Sequence, residues 1–419
     1  MKYLLKLMRF ILPEKNYLAL FRRLAKLPLD VWDPNFVIKV ADTQEELEEA
    51  YRLLHNCYVD LRLMHKHASI LRCNVYSFLP ETTTLIAKYK GEVVGSVTLI
   101  KDSPVGLPSD QEYKSENDRY RAEGFSLVEV SALAVRKDFR ARNHGASVLL
   151  MKYIINYVKD YMTCTMMVCT VHPRAEDFYK SLFDFKRNGR VIKYKFVEGA
   201  LAVHLGMDMR QPHLNYLLAL YGTTEIQRNW FLFIFNQDER FQYPYRNEGQ
   251  IVYPVMTPEL LEYFFIDKTR LIYELEETYL KTFIEIYLYR FGEERMAKVL
   301  EARPINFNKR QYRVPIKLRA SFLANGQYYI CWILDITSRG CFIAVPKEIT
   351  LENHTEVEIS FRLGVRSYQI PSRIAWFNSD VSLRHEHGYG VQFNRVDAEI
   401  EREINSWGSS RNEQKVYKR

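Results

Sequence analysis

The stretch Leu127-Val-Glu-Val-Ser-Ala-Leu-Ala-Val135, continuing through Arg136-Lys-Asp-Phe-Arg140-Ala-Arg-Asn-His-Gly145-Ala-Ser147, decides how the first half of this chain folds. Nine residues rich in Val and Leu, without Gly or Pro, predict a buried strand. A cationic turn follows, and Ala146 to Tyr161 then reads as a helix. The first N–H groups of such a helix, together with its dipole, attract phosphate. Within the strand Glu129 is out of place. Burying a carboxylate among apolar neighbours is costly unless it is partnered, and burial drives its pKa upward. A carboxylate poised near neutrality can deprotonate an ammonium nucleophile, directly or through water. Strand alternation puts Ser131 on the same face. The other reading of Glu129 is a residue at the sheet edge, or one salt-bridged to a nearby Arg.

Working outward, Phe36 to Val40 predicts a short strand and Thr43 to Asn56 an amphipathic helix, with Thr43 as N-cap and Glu46 completing a capping box. Leu85 to Tyr89 and Val93 to Ile100 form a hairpin about Lys90-Gly91. Beyond the central stretch come a strand, Thr165 to Val171, and a helix, Arg174 to Phe183. This order suits a mixed sheet with helices on both faces.

The end of the chain follows another rule. Val314 to Leu334 reads as two alternating strands, with Ile316, Leu318, Ala320 and Phe322 on one face and Asn325-Gly326 supplying a two-residue turn. Folding about that turn sets Ile316 opposite Asp335 and Arg313 near Ser338, provided no bulge intervenes. The basic segment Lys309-Arg310-Gln-Tyr-Arg313 would then meet Asp335-Ile-Thr337-Ser338-Arg-Gly340. An Arg offers paired donors to guanine O6 and N7 and can stack on a base. Asp335 can accept from guanine N1 and N2, and Gly340 leaves room for backbone beside a phosphate. The alternative is a solvated basic segment beside an ordinary strand-end turn.

These residues resemble a PilZ domain, the bacterial receptor module for cyclic di-GMP, over about the last 115 residues. The resemblance rests on an Arg-x-x-x-Arg segment, in which Lys309 here stands for the first Arg, and on Asp/Asn-x-Ser-x-x-Gly, in which Thr337 stands for Ser. Tyr389-Gly-Val-Gln-Phe393 is similar to that family's final strand. It implies cyclic di-GMP contacts from Lys309, Arg310, Arg313, Asp335, Thr337, Ser338 and Gly340.

The central stretch, together with His172-Pro-Arg-Ala-Glu-Asp-Phe178-Tyr179-Lys-Ser-Leu-Phe-Asp-Phe185, resembles the GNAT acyltransferase superfamily. Pro104-Val-Gly-Leu-Pro108 through Ser131 narrows the resemblance to N-acyl amino acid synthases, relatives of acyl-homoserine lactone synthases. It implies Glu129 as base with Ser131 beside it, and Tyr179 as the acid that protonates the leaving thiolate. Tyr179 also reads simply as a core aromatic beside Phe178. Backbone N–H groups around Leu133 to Val135 would hold the developing oxyanion. Arg140, Arg142, Asn143, His144, Gly145, Ala146 and Ser147 would seat the donor's phosphate. Ser147 replaces the usual last small residue of that loop, and Asp184 stands where the family commonly has Gly. A crowded turn suits the single phosphate of a carrier-protein phosphopantetheine arm better than the pyrophosphate of coenzyme A. Arg136, Lys137, Arg140 and Arg142 would give an acidic carrier a landing surface.

The 419 residues carry a formal charge of +8, unevenly placed. Residues 1–30 hold seven Lys/Arg against two acids, and residues 301–419 hold eighteen against thirteen. The basic ends suit separate local partners better than nucleic acid. Leu4, Leu5, Met8, Ile11 and Leu12, then Tyr17, Leu20, Phe21 and Leu24, recur at helical spacing with basic residues between them. Such helices lie on anionic membranes or pack on the next domain. Apolar runs such as Trp230 to Phe235 are too short to span a bilayer, and Met1 to Leu12 lack a secretory cleavage site. Six scattered Cys without a C-x-x-C pair, and His65-Lys-His67 and His385-Glu-His387 without supporting spacing, predict reduced thiols and no metal site.

The expected architecture is therefore a GNAT-like α/β mixed sheet with a helical extension, followed by an all-β PilZ-type barrel. Basic amphipathic helices occupy 1–30, the acyltransferase core 31–205, the extension and connector 206–303 and the barrel domain 304–419. Thr257-Pro258-Glu259 opens a helix in the extension, with Leu260, Phe264, Leu271, Leu275, Leu280 and Phe283 facing inward. The expected activity moves a fatty acyl group from an acyl-carrier-protein thioester, or acyl-CoA, to the amine of an amino acid or similar acceptor, in response to cyclic di-GMP. The expected place is the cytoplasm, peripherally at the inner membrane face. Its rivals are a non-enzymatic effector that only docks a partner and an acetyl-CoA enzyme acting on a polyamine or protein.

Overall fold

A computed structural model describes residues 8–24, 33–80, 82–140, 145–162, 164–194, 197–210, 230–235, 238–244, 255–304, 314–363, 366–378 and 387–395. The chain divides into two compact units, one of residues 1–78, 82–102 and 106–244, the other of 79–81, 103–105 and 245–419.

The first unit is built on strands β1 (Phe36–Val40), β2 (Thr83–Tyr89), β3 (Glu92–Lys101), β4 (Leu127–Val135), β5 (Met166–Val171), β6 (Lys186–Arg187), β7 (Ile192–Tyr194), β8 (Ala200–Asp208) and β9 (Phe241–Gln242). Their order across the sheet is β6-β8-β5-β4-β3-β2-β1-β9, with β7 also on β8. Neighbours β1 to β4 are antiparallel, β4 and β5 are parallel, and β8 returns antiparallel to β5. The turn between β2 and β3 uses Lys90 and Gly91 in left-handed conformations, as a two-residue hairpin requires. The helices are α1 (Glu14–Leu24), α2 (Gln44–Asp60), α3 (Asp110–Ala122), α4 (Ala146–Tyr157), α5 (Glu176–Phe183) and α6 (Trp230–Phe235). Thr43 caps α2 by accepting from Glu46 N at 3.2 Å, and Leu47, Ala50, Tyr51, Leu54 and Cys57 give it a buried stripe. Glu46 reaches back to Asp42 N, one residue before the expected partner.

One boundary in this unit differs from the expected one. Strand β8 runs past residue 205, and β9 pairs with β1 while Tyr153 Oη donates to Gln242 O at 2.8 Å, so residues 230–244 complete the sheet unit instead of joining a connector. Of the two readings of the N-terminal helices, residues 14–24 take packing on the next domain. Tyr17 Oη donates to Asp177 at 3.0 Å, Arg22 Nε donates to Ser181 O at 2.7 Å, and Glu14 pairs with Lys180, which docks α1 on α5. Phe10 and Ile11 remain exposed. No helix among the described residues is long and apolar enough to cross a membrane.

In the second unit, Thr257 caps the short helix α7 (Pro258–Leu261), and α8 (Glu277–Phe291) and α9 (Ala297–Ala302) follow. The inward residues include Leu261, Phe264, Phe265, Ile272, Leu280 and Phe283, so Leu260, Leu271 and Leu275 are only half-buried. Then β10 (Val314–Ala324), β11 (Gln327–Thr337), β12 (Gly340–Ala344), β13 (Glu356–Leu363), β14 (Arg366–Asn378) and β15 (Gly388–Phe393) close a barrel in the order β10-β11-β12-β15-β14-β13. Leu318, Ala320, Phe322, Ile333, Ile359 and Ile374 fill it. Asn325 and Gly326 both take left-handed conformations at the first hairpin, as expected. A bulge between Pro315 and Leu318 shifts the register, so Asp335 faces Pro315 instead of Ile316.

Closure is tight where β12 and β15 cross. A Cβ on Gly340 would run into the Val391 carbonyl oxygen, and one on Gly390 would run into the Trp376 ring. Gly340→Ala should destabilise the barrel by about 1–3 kcal/mol, as overpacking does. Calorimetry of the full chain should show the barrel melting several degrees lower.

Candidate active site and nucleotide site

The sheet forks between β4 and β5. The two strands pair only from Leu127 to Val130 against Met166 to Cys169. Beyond Val130, β4 keeps its partner β3 but has none in β5. An extra residue enters β4 at this point, because Thr98 faces Ser131 while Ser96 faces Ala134. The bulge puts Ala132 at φ +58°, a left-handed conformation that costs an L-residue about 1–2 kcal/mol. Leu54 and Cys57 of α2 pack on Ala134, with Tyr58 and Ala132 against them, which holds the strained segment in place. Ser131, Ala132 and Leu133 are half-buried in a strand otherwise buried. Strain of this kind tends to collect at functional sites.

Glu129 lies two residues before the bulge and is 2% exposed. Its Oε2 accepts from Ser109 N at 2.9 Å. Burial raises its carboxyl to about 7; hydrogen bonding from Ser109 opposes the rise, and the charges of Asp110 and Asp102 add to it. The loop that brings Ser109 here is pinned at several points. Leu107 N donates to Asp110 at 2.8 Å, Tyr194 Oη donates to Pro108 O at 3.2 Å, and Gly106 at φ +80° leaves room for the Asp110 carboxylate. Arg121 donates to Asp102 at 2.6 and 2.9 Å and to Asp110 at 3.1 and 2.7 Å.

Tyr179 sits on α5, 8% exposed, among Phe178, Phe183 and Phe185. Burial pushes its phenol well above the ordinary value, so it holds its proton at neutral pH. Cys169, the last β5 residue paired with β4, interacts electrostatically with both Glu129 and Tyr179. Cys169 thus lies within electrostatic reach of both groups, at the point where the pairing of β4 and β5 stops. Asp184 ends α5 at φ +54°, a conformation Gly adopts freely and Asp tolerates.

At the expected phosphate seat, Arg142, Asn143 and His144 lie outside the described residues. Gly145 caps α4 at φ +60° and, having no side chain, makes no side-chain cap bond; Ala146 is buried and Ser147 half-buried. Exposed Arg140 donates Nε to Val135 O at 2.6 Å, tying the loop to the end of β4. Arg136 is not a free landing charge, because Glu92 and Asp138 bind it at 3.0 and 2.9 Å. The described cationic surface there reduces to Lys137 and Arg140.

Of the nucleotide residues, Lys309, Arg310 and Arg313 also lie outside the described residues. Asp335 is buried, and Thr337 Oγ1 accepts from Arg339 N and Gly340 N at 3.0 Å each, so its hydroxyl shapes the turn that presents Ser338. Gly340 is required by the passage of Val391, a sheet reason distinct from phosphate contact.

The sequence reading missed α3, the helix that carries Ser109 at its N-terminus. Its buried positions are Tyr113, Asn117 and Arg121, so no apolar stripe announces it. Their i, i+4, i+8 spacing was the available signal.

Residues 49–208 match the family described as N-acyl amino acid synthase FeeM, and residues 308–407 match the PilZ domain. No curated protein matches the chain. Among solved structures it is similar to FeeM, an N-acyl amino acid synthase from uncultured soil microbes, at 22% identity, covering 45% of this chain and 98% of that one, with a TM-score of 0.39. It is also similar to BjaI, a CoA-dependent acyl-homoserine lactone synthase solved with SAM and isopentyl-CoA, at 16% identity over 51% and 95% of the two chains, TM-score 0.37. The PilZ domain of CeSA from a cellulose-synthesizing bacterium is 13% identical over 24% and 97%, TM-score 0.19.

The raised Glu129 carboxyl sets a stability signature. Folding favours its protonated form, so that stability is complete below about 4.5 and is lost as pH rises through about 7. At pH 8 the ionised form costs about 3 kcal/mol. Glu129→Gln should therefore raise the melting temperature at pH 8 and leave it nearly unchanged at pH 4.5.

Proposed function

We propose that the N-acyltransferase domain of the N-acyl amino acid synthase type in this chain transfers a fatty acyl group from a carrier-protein thioester to the amine of an amino acid, and that cyclic di-GMP bound to its PilZ domain regulates the transfer. The observation that carries the chemistry is the buried Glu129 carboxyl at the β4–β5 fork, with a pKa near neutrality. In this reading the thioester lies across Ser131 to Val135, where N–H groups left without a β5 partner polarise its carbonyl. Glu129 takes a proton from the acceptor ammonium, and the freed amine attacks. The tetrahedral intermediate expels the thiolate, which takes the Tyr179 proton. The new amide nitrogen passes its second proton to water.

Support for a carrier-borne donor is the single uncapped turn at Gly145 beside Lys137 and Arg140, which suits one phosphate on an acidic partner. Acyl-CoA is the second reading, since the same helix N-terminus can seat its phosphates. Lys309, Arg310, Arg313, Asp335, Ser338 and Gly340 are the proposed nucleotide contacts. Regulation requires that the nucleotide bind two states of the chain with different affinity. Phe10 and Ile11, exposed beside Arg9, are the residues with which the N-terminal segment would touch an anionic bilayer.

The test offers the purified chain fatty acyl-carrier protein or fatty acyl-CoA with each amino acid, and reads N-acyl products by mass spectrometry. A carrier donor should win, with turnover falling steeply as salt rises. The kcat/KM profile should climb with pH through about 7 as Glu129 ionises. Glu129→Gln should lose about 10²–10⁴-fold; full activity in that variant would remove Glu129 as the base, and no N-acyl product from the parent with any donor would leave a docking role only. Titration calorimetry should show cyclic di-GMP binding that Arg313→Ala weakens by about 1–3 kcal/mol.

A further inference from the structure

We propose that Asn117 and His204 are positioning residues of the transfer, fixing through Ser109 the hydrogen-bond donors that orient the Glu129 carboxylate. The inference rests on the reading of Glu129 as the base.

A continuous polar chain crosses one face of the sheet. Thr170 Oγ1 lies 3.2 Å from His204 Nδ1, and His204 Nε2 lies 3.0 Å from Asn117 Oδ1. Asn117 Nδ2 reaches Ser109 Oγ and Asp110 Oδ1 at 2.9 Å each. Ser109 N then reaches Glu129 at 2.9 Å. His204 and Asn117 are fully buried. Burial lowers the imidazole to about 4, against the charges of Glu116 and Asp110, so the ring is neutral and has one N–H.

The donors in this chain can point only one way. Ionised Asp110 accepts only, so Asn117 must turn its NH₂ toward Asp110 and Ser109 and its Oδ1 toward His204. The imidazole proton is then on Nε2, and Nδ1 accepts from Thr170. Both Asn117 protons are used, one of them on Ser109 Oγ, which holds the residue whose backbone N–H is bonded to Glu129. Tyr113 locks the imidazole by stacking at 4.9 Å, with its hydroxyl donating to Arg190 O and Ala202 O. Gly189 makes room for that ring, since a Cβ there would come within 2.7 Å of it.

The chain starts at half-buried Thr170, on the part of β5 beyond its last pair with β4, and ends at Glu129. It therefore spans the two sides of the fork. The other titratable groups around Glu129 are Asp102 after β3, Asp110 of α3, Cys169 of β5 and Tyr194 of β7, with Arg121 bound to both Asp residues. Asn117 is thus the neutral member of a cluster dominated by carboxylates. Every member of this buried chain has its partner, an arrangement that fixes the groups at its far end.

The test is the pH profile of acyl transfer by the full chain. Asn117→Asp keeps shape but replaces the NH₂ that holds Ser109 Oγ with an acceptor and adds a charge near Glu129. The acid limb of kcat/KM should move up by about one pH unit, with activity at pH 7 falling roughly fivefold and recovering near pH 9. His204→Leu should lower kcat with little change in donor KM, while His204→Gln, which restores an N–H toward Asn117, should recover most of it. Profiles of folded Asn117→Asp and His204→Leu superimposing on the parent, with Glu129→Gln inactive, would overturn the positioning role alone. An active Glu129→Gln would overturn the base itself. Should His204→Leu fail to fold, the Asn117→Asp profile still decides.

Discussion

Removing one carboxylate from water, at Glu129, is the constraint from which the rest of the first unit takes its form. Desolvation is the largest effect on that group and favours its neutral form. The Ser109 N–H pulls it back, and two nearby carboxylates push it up again. The balance lies near 7, and many contacts converge on one short loop to hold it. Arg121 is central to that balance, since it ties down both Asp102 and Asp110. The N-terminus of α3 delivers the compensating dipole at the same place.

A second constraint is geometric. A sheet that paired β4 and β5 along their full length would have no edge to offer a substrate. Here the pairing stops at Cys169, and the bulge at Ala132 turns the remainder of β4 away from its neighbour. Helix α2 supports the unfavourable backbone from beneath through Leu54 and Cys57. Fork, bulge and buried acid are consecutive along one strand, so the local sequence encodes the three together.

Much of this was legible before any coordinates. The limits of β4, the hairpins at Lys90-Gly91 and Asn325-Gly326 and the cap at Thr43 follow from local chemistry that tertiary context does not override. Glu129 stood out because a charged residue in an apolar run needs a reason. What stayed hidden depends on long-range contact or on counting. Bulges insert single residues that no alternation pattern reveals, and one of them moved Asp335 to face Pro315. Arg136 looked available until Glu92, 44 positions earlier, turned out to hold it. Helix α3 escaped because periodicity searches look for apolar stripes, and its inward face is a tyrosine, an amide and a guanidinium.

That inward face makes the domain awkward to engineer. A designer asked to toughen this protein against heat would begin by replacing Asn117 and Arg121 with leucine, a routine repair for a helix with polar groups turned to the core. Leucine at position 121 would instead leave Asp102 and Asp110 without their partner, so the altered protein would lose stability together with the setting around its acid. Robustness and chemistry draw here on the same few side chains, so a thermally improved version has to be sought in the barrel or on the outer surface of the sheet domain.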